Sequence, residues 1–373
     1  MRKIPFAQIK MHAKVRTDRY RHEGQNAMIT EINQSEWSDR SKSPNNATII
    51  RWGILGTGNI ARQFAEGLQS ARGAVLQAVG SRTAETAEAF GSQFGIPRRH
   101  ASYEALAADP EVDIVYIATP HPMHKGNSML CLNAGKAVLC EKPFTINRRE
   151  AEEVVACARA NNRFLMEAMW TRFLPAVLQA QMWIREGRIG KVRMIRADFG
   201  FRVGYEEEPR LFDLEMGGGA LLDVGIYPIS LAAMVLGPHP IKVNTMATIG
   251  PTGVDDQNMV ALQYENGAIA LAASAVRTET PQDACIIGEN GFISLHTPFW
   301  RADTVTLSLP GREPETHHLP LTGNGYNYEA EAVMDCMRSG KTECIVMSLN
   351  ETITLMGILD TARAQWGLRY PME

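Results

Sequence analysis

A chain of 373 residues, 45% hydrophobic and 21% charged, is long enough for two domains with full cores and needs no disulfide staples. A formal net charge of -3 argues against nucleic acid or a membrane surface as the main partner, and no apolar run reads as long enough to span a bilayer. Cys131, Cys140, Cys157, Cys285, Cys336 and Cys344 form no CxxC pair and mostly have apolar neighbours, which predicts free thiols in a reducing, cytoplasmic protein rather than disulfides or zinc.

Residues 1–48 begin with a basic stretch that has no apolar core, so they do not read as a secretory signal. "NQSEWSDRSKSPNNAT" then reads as a polar, flexible linker, and Met28 as an alternative start. The extension is expected to be disordered, or an arm on the body or on another subunit. From Ile50 the pattern alternates. "IIRWGIL" and "AVLQAVG" predict strands, each followed by a helix, the first carrying Ile60, Phe64 and Leu68 on one face. Val112–Ala118 is a continuous apolar run, as in a strand covered on both faces. A helix over "HPMHKGNSMLCLNAG", a strand "KAVLCEKP", a helix opened by Asn147 and Glu150 at capping-box spacing, and "RFLMEA" complete the series. Such alternation predicts a doubly wound parallel sheet of the Rossmann type, α/β, over residues 49–170.

After about Pro175 comes one helix, then β-rich runs: "KVRMIRADFGFR", "IKVNTMATIG", "NMVALQYENGAIALAASAVR", "ACIIGENGFISL" and "TVTLSL". The Asn-Gly pairs in "ENGA" and "ENGF" predict hairpins. Residues 171–373 therefore read as an α+β domain with a large open, mostly antiparallel sheet. Ser348 and Glu351 form a second capping box and start a C-terminal helix ending near Gly367, which is free to pack back on the first domain. His317 and His318 fall in a polar loop with no evident chemistry.

"GTGNIA" (Gly56–Ala61) fits G-x-G-x-x-A directly after the first strand. Gly56 permits the tight turn, Gly58 lets the backbone approach a pyrophosphate, and Ala61 lets helix and strand pack. Thr57, Asn59 and Ile60 place amides at the helix N-terminus, where an anion is favoured. An NAD site would put an acid at the end of the second strand. This one ends in "VGSRT", and Ser81 and Arg82 suit a 2′-phosphate better than a bare ribose. That favours NADP(H), with NAD as the weaker alternative and a solvated Arg82 as the plain reading.

Lys142 lies at the carboxyl end of a parallel strand, where such sheets bind ligands. Before Pro143 it reads equally well as a capped surface turn. In "DLEMGGGALLDVGIYPIS" (Asp213–Ser230), Asp223 and Tyr227 share a helix face, and Pro228 predicts a kink or restart near Gly225. Two titratable residues in an apolar helix are costly to bury without a partner or a purpose. A tyrosine hydroxyl satisfied by a nearby carbonyl is the alternative.

From Ile50 onward, the order of "GILGTGNIA", "ATPHPMH" (Ala118–His124), "EKP" (Glu141–Pro143) and "GGGALLDVGIY" resembles the glucose-fructose oxidoreductase/inositol dehydrogenase (Gfo/Idh/MocA) family. "MEAMWTRFLPA" (Met166–Ala176) narrows the resemblance to the branch of dimeric dihydrodiol dehydrogenases and NADP-dependent D-xylose dehydrogenases. The resemblance implies that Lys142 touches the nicotinamide ribose and the reacting oxygen, and that Tyr227 transfers the proton with Asp223 nearby in the substrate pocket. It also implies that Thr119, His121, His124 and Glu141 line the nicotinamide half of the cofactor, that Trp170 and Arg172 close over it, and that the open sheet makes a homodimer. Several relatives carry His where this chain has Tyr227. Zinc at His121 and His124 lacks a third ligand at a recognisable spacing. The expected activity is hydride transfer to or from a secondary alcohol or carbonyl of a sugar or trans-dihydrodiol, with Lys142 lowering the pKa of Tyr227. A keto-sugar reductase of the same family is the near alternative. A sensor or scaffold without turnover is the distant one, and it predicts loss of the lysine or tyrosine, both kept here.

Overall fold

Phe64 shows how the first half is assembled. Its ring lies 5.3 Å from that of Trp52 and stacks at 3.7 Å on Tyr116, and all three side chains are fully buried. Burying a side chain of this size is worth about 1.5–3 kcal/mol. The helix that carries it is thereby held against two strands at once. The computed structural model describes residues 48–373. The expected extension, apart from Thr48, and the alternative start at Met28 lie outside the described residues.

The first sheet contains β1 (Ile50–Leu55), β2 (Ala74–Gly80), β3 (Arg98–His100), β4 (Ile114–Ile117), β5 (Ala137–Glu141) and β6 (Leu165–Ala168). Helices α1 (Asn59–Leu68), α2 (Ala84–Phe94), α3 (Tyr103–Ala107), α4 (His124–Asn133) and α5 (Arg148–Ala160) alternate with the strands. The spatial order is β3-β2-β1-β4-β5-β6 and every pairing is parallel. The order reverses between β1 and β4, so ligands are favoured at the carboxyl ends of these two strands and their neighbours. Sequence periodicity did not reveal β3 or α3. Each is too short for its period to register, and β3 is polar throughout.

Helix α6 (Pro175–Arg185) leads into the second sheet: β7 (Val192–Gly200), then after α7 (Ile226–Leu236) β8 (Lys242–Ile249), β9 (Asp255–Gln263), β10 (Ile269–Ala275), β11 (Ala284–Gly288), β12 (Phe292–Leu295), β13 (Thr304–Ser308) and β14 (Glu315–His318). Their order is β14-β13-β12-β11-β7-β10-β9-β8, and only β7 and β10 pair in parallel. His317 and His318 belong to the edge strand β14, not to a loop. The His317 ring lies 5.0 Å from that of Trp183, which helps seat α6 on the sheet.

Two helices close the chain, α8 (Tyr326–Arg338) and α9 (Leu349–Trp366). Sequence reading missed α8, whose N-cap is Gly325 at φ 102° with no side-chain cap to announce it. Ser348 caps α9 through the amide of Glu351, but the Glu351 carboxylate turns to Arg172 instead of closing the capping box. Helix α9 touches both sheets' surroundings: Thr352 Oγ1 donates to Glu167 on β6 (3.0 Å), and Gln365 Nε2 donates to the carbonyl of Val243 on β8 (2.8 Å).

One expectation is corrected. The run Leu214–Leu236 has 23 residues and contains an 18-residue window of mean hydropathy 1.8, long and apolar enough to cross a membrane. Asp223 and the glycines before it interrupt the apolar pattern. In the fold 83% of its most apolar window is buried, so its apolarity belongs to the core between the two sheets.

Candidate active site

The turn after β1 is shaped by two glycines with different jobs. Gly56 sits at φ 109°, and a Cβ there would meet the carbonyl oxygen of Ala118 at 2.8 Å, so neither the dihedral nor the packing admits a side chain. A Cβ at Gly58 would meet nothing within 4 Å. Gly58 is the N-cap of α1, and no side chain caps that helix. The amides of its first turn, at Asn59 and Ile60, are therefore available to an anion in the open space beside Gly58. These residues fit a dinucleotide pyrophosphate.

At the end of β2, the amide of Ser81 donates to His100 and its hydroxyl bonds Thr86 Oγ1 at 2.6 Å, while Thr83 caps α2. Arg82 is exposed and makes no hydrogen bond or ion pair among the described residues. The strand end thus presents a free guanidinium and no carboxylate.

The second centre lies at the end of β5. Residues 221–225 form a single π-helical turn before α7. In such a turn the Asp223 carbonyl would look to the amide of residue 228, which is Pro228 and has none. Lys142 Nζ takes that carbonyl at 2.8 Å. This explains locally why Lys142 and the Asp223–Tyr227 turn come together. Lys142 Nζ stands 5.1 Å from the centroid of the Tyr227 ring. Tyr227 is 7% exposed, and its hydroxyl accepts the indole N–H of Trp170 at 3.1 Å.

Charge around this centre is arranged asymmetrically. The Asp223 carboxylate pairs with Arg210 at 3.1 Å. Burial pushes its pKa up, but Lys142 and Arg210 more than offset that, and it stays ionised below the usual carboxylate range. Burial alone would push Lys142 down, yet Tyr227, Asp223 and Glu141 raise it above the ordinary lysine value. Tyr227 is raised as well, chiefly by burial, with Lys142 acting in the opposite sense. This corrects the expectation that Lys142 brings the tyrosine below its ordinary value. The resting side chain is a phenol.

Several residues expected to line the nicotinamide have other work. Glu141 is fully buried beneath Lys142, accepting the Tyr116 hydroxyl on one oxygen and the Lys142 amide on the other at 3.0 Å. The His124 ring lies between the carbonyls of Thr119 (2.7 Å) and Pro143 (2.9 Å), at the ends of β4 and β5; burial lowers its pKa to about 4, so the neutral ring donates to one of the two. Thr119 also receives the Asn127 side chain at 3.0 Å. His121 faces the carbonyl of Gly217 at 3.1 Å. Trp170 stands beside the candidate proton-transfer group. It stacks on Tyr326 at 4.5 Å and holds the Tyr227 hydroxyl. Arg172 is 2% exposed and bonds Ser230, the Val346 carbonyl and Glu351 (2.7 Å), so it ties α7 to α9. Among the described residues no three His, Cys, Asp or Glu side chains converge as a metal site would.

Sequence reading missed Arg210, Phe199, Trp300 and Tyr326. Phe199 and Trp300 stack at 4.8 Å with parallel planes, and Phe199 lies 5.3 Å from the Tyr227 ring. Only the second sheet's topology brings β7 and the residues after β12 to Tyr227, and no local signal announces that.

Two family models match the chain. The one described as an oxidoreductase family with an NAD-binding Rossmann fold covers residues 50–169, and the GFO/IDH/MocA C-terminal domain covers residues 177–294. The chain belongs to the Gfo/Idh/MocA oxidoreductase family. It is 38% identical over 335 residues to trans-1,2-dihydrobenzene-1,2-diol dehydrogenase of Mus musculus, spanning 87% of this chain and 99% of that one. The Homo sapiens protein of the same name is 37% identical over 332 residues, with the same coverage. Among solved structures, the 3-ketoreductase KijD10 of Actinomadura kijaniata, in complex with NADP and TDP-benzene, aligns with a TM-score of 0.76 and 26% identity over 85% of this chain and 98% of that one. Levoglucosan dehydrogenase shares the fold, with a TM-score of 0.78 at 21% identity over 86% of this chain and 98% of that one.

Proposed function

We propose that this family member is an NADP(H)-dependent oxidoreductase acting on a secondary alcohol or carbonyl of a trans-dihydrodiol or sugar. The observation that carries the reading is the convergence of Lys142 and Tyr227, from different sheets' connections, at the carboxyl end of the first sheet. Gly56, Gly58 and the free first turn of α1 would hold the pyrophosphate, and Ser81 and Arg82 the 2′-phosphate. Held there, the nicotinamide would supply the chemistry of hydride transfer. Tyr227 gives its hydroxyl proton to the oxygen of a carbonyl substrate, or as a phenolate takes the proton of an alcohol. The Lys142 ammonium stabilises negative charge developing on that oxygen. Asp223 and Arg210 hold the lysine's surroundings in place, while Phe199 and Trp300 offer a flat apolar wall beside Tyr227. The wall and the similarity to dihydrodiol dehydrogenases favour an aromatic trans-diol, and a pyranose also presents an apolar C–H face. Assaying aromatic trans-diols, aldoses and keto-sugars with NADP(H) tests this reading. Absence of turnover on every member would leave the sensor or scaffold alternative in its place.

Arg82 supplies the cofactor preference. Arg82→Ala is expected to weaken NADP binding by about 1.5–3 kcal/mol, the usual worth of hydrogen bonds to a charged group, with NAD little changed. Titration of both cofactors against both proteins checks it. Tighter wild-type binding of NAD than of NADP defeats the assignment.

The second sheet supports a homodimer. Met246, Met259 and Ala273 lie in one cross-strand row, and Ile269, Met194, Ile287 and Phe292 in another on the same face. Met246 is 71% and Met259 46% exposed, a large apolar content for an uncovered sheet face. Met259→Lys should convert a dimer into monomer at micromolar concentration in sedimentation velocity. A wild-type monomer under the same conditions removes this face as the interface.

A further inference from the structure

The glycines ahead of the Asp223–Tyr227 turn make room for a side chain from the second sheet. Gly219 sits at φ 110°, and a Cβ there would overlap Oδ1 of Asp255. Gly219 has no side chain with which to cap the turn that follows. Asp255, the first residue of β9, supplies the acceptor instead. Its Oδ2 receives the backbone amide of Leu221 at 2.8 Å, across thirty-four positions of sequence. Leu221 opens the π turn, so this bond fixes the start of the segment that goes on to Asp223 and Tyr227.

The carboxylate is itself held. Asn258 Nδ2 donates to the same Oδ2 at 2.8 Å and to Ser274 Oγ at 2.7 Å, and Ser274 is the residue directly opposite Asn258 on β10. Ser274 Oγ occupies the space beside Gly225, where a Cβ would stand only 2.7 Å from it. All three polar side chains are buried, Asp255 completely. They therefore meet both ends of the π turn, at Leu221 and at Gly225, from two paired strands of the second sheet. Asp255 Oδ1 has no hydrogen-bond partner among the described residues. A buried carboxyl group with one oxygen unused is a poor choice for stability alone. As a cap it does what no apolar residue can.

We propose that Asp255 is a positioning residue for the proton-transfer centre: from the second sheet it caps the π turn, and so sets where the Asp223 carbonyl meets Lys142 and where Tyr227 presents its hydroxyl. The inference rests on the role given to Tyr227 in the proposed function. Fully buried, Asp255 acts only through the turn. Two hydrogen bonds downstream of the cap report its effect: Lys142 Nζ to the Asp223 carbonyl at 2.8 Å, and the Trp170 indole N–H to the Tyr227 hydroxyl at 3.1 Å. Burial raises the pKa of Asp255 to about 7, against the bonds from Asn258 and Leu221, so an uncharged side chain of the same shape suits the site. Asp255→Asn keeps an oxygen for the Leu221 amide, and Asp255→Ala removes it.

The test compares both variants with wild type in the full chain, by thermal melt, by steady-state kinetics with NADP(H), and by the NMR resonance of the Trp170 indole N–H, identified by its loss in Trp170→Phe. In Asp255→Ala, kcat should fall by about 10–10²-fold, the order that a misplacement of about 1 Å costs, with KM and NADP affinity near wild type. The indole resonance should move, because the hydroxyl it bonds has moved. Asp255→Asn should recover most of the rate and the wild-type resonance, even where its melting temperature is lowered. A folded Ala variant with wild-type kcat and resonance overturns the proposal, and so does an Asn variant no better than Ala. If the Ala variant does not fold, Asn258→Ala loosens the carboxylate without removing it and should give the same changes to a lesser degree. Unchanged kcat and resonance in that variant are equally fatal. The resonance requires no substrate. A wild-type protein inactive on every compound defeats the proposed activity, while the indole shift still decides whether Asp255 positions Tyr227.

Discussion

Tyr227→Phe is expected to lower turnover on the best substrate by about 10²–10⁴, the usual contribution of a positioned acid or base. Its ring remains against Phe199 and above Lys142, so the pocket wall is preserved. The cofactor cradle at Gly56 and Gly58 is remote from the lost hydroxyl, so NADP affinity should stay near wild type. One structural cost is foreseeable: the buried Trp170 N–H loses its acceptor, worth about 1–3 kcal/mol of stability. A thermal melt separates that cost from the kinetic one. The pH dependence gives a second, independent reading. Burial holds Tyr227 above its ordinary pKa, so at neutral pH it is a proton donor. Carbonyl reduction should therefore be flat through neutrality and fall as pH rises through the raised pKa. Alcohol oxidation needs the phenolate and should climb with pH over the same range. In the Phe variant both limbs should vanish along with most of the rate. Near wild-type turnover in that variant returns the hydroxyl to a purely structural role.

The parts of this site that sequence made legible share one property: the residue's job is local. Gly56 is needed for its own dihedral and Gly58 for the space beside its own backbone, so a motif of six residues displays both. The Asp223–Tyr227 spacing and Pro228 together foretold an irregular turn, and a π turn is what forms there. Less legible are the contacts of residues whose partners lie far along the chain. His124 belongs to the same motif as Thr119, but its ring is spent on two carbonyls, one of them nineteen positions away. Arg172 reads like a cofactor ligand because it follows Trp170, yet its partners lie on α7 and α9. A linear motif shows that such residues recur together and not which of them faces the cleft. The fold follows the same division. Long strands such as β9 and β10 declare themselves by alternation and β4 by its unbroken apolar run, while β3, β14 and α3, three to five residues each, are set by neighbours.

Lys142→Met carries the broader mechanistic consequence, because this side chain connects the two halves of the site. Methionine keeps most of the volume and removes the ammonium. The Asp223 carbonyl, for which Pro228 offers no amide at the π position, loses the lysine's hydrogen bond as well. Negative charge on the reacting oxygen then has no adjacent cation, and removal of one such donor typically costs about 10²–10³ in turnover. Tyr227 should respond in a predictable direction. Lys142 is the main influence that opposes the burial of its hydroxyl, so removing that charge should raise the tyrosine's pKa further. The oxidation limb of the rate profile should move to higher pH in the variant, and the reduction plateau should extend upward by the same amount. Cofactor affinity should weaken too, since the lysine stands at the strand end where the nicotinamide ribose is expected. Lys142→Arg restores the charge with different geometry and should recover the pH limb more fully than the rate. A Met variant with reduced turnover but an unmoved limb would show that Lys142 acts on substrate alone and does not set the protonation of Tyr227.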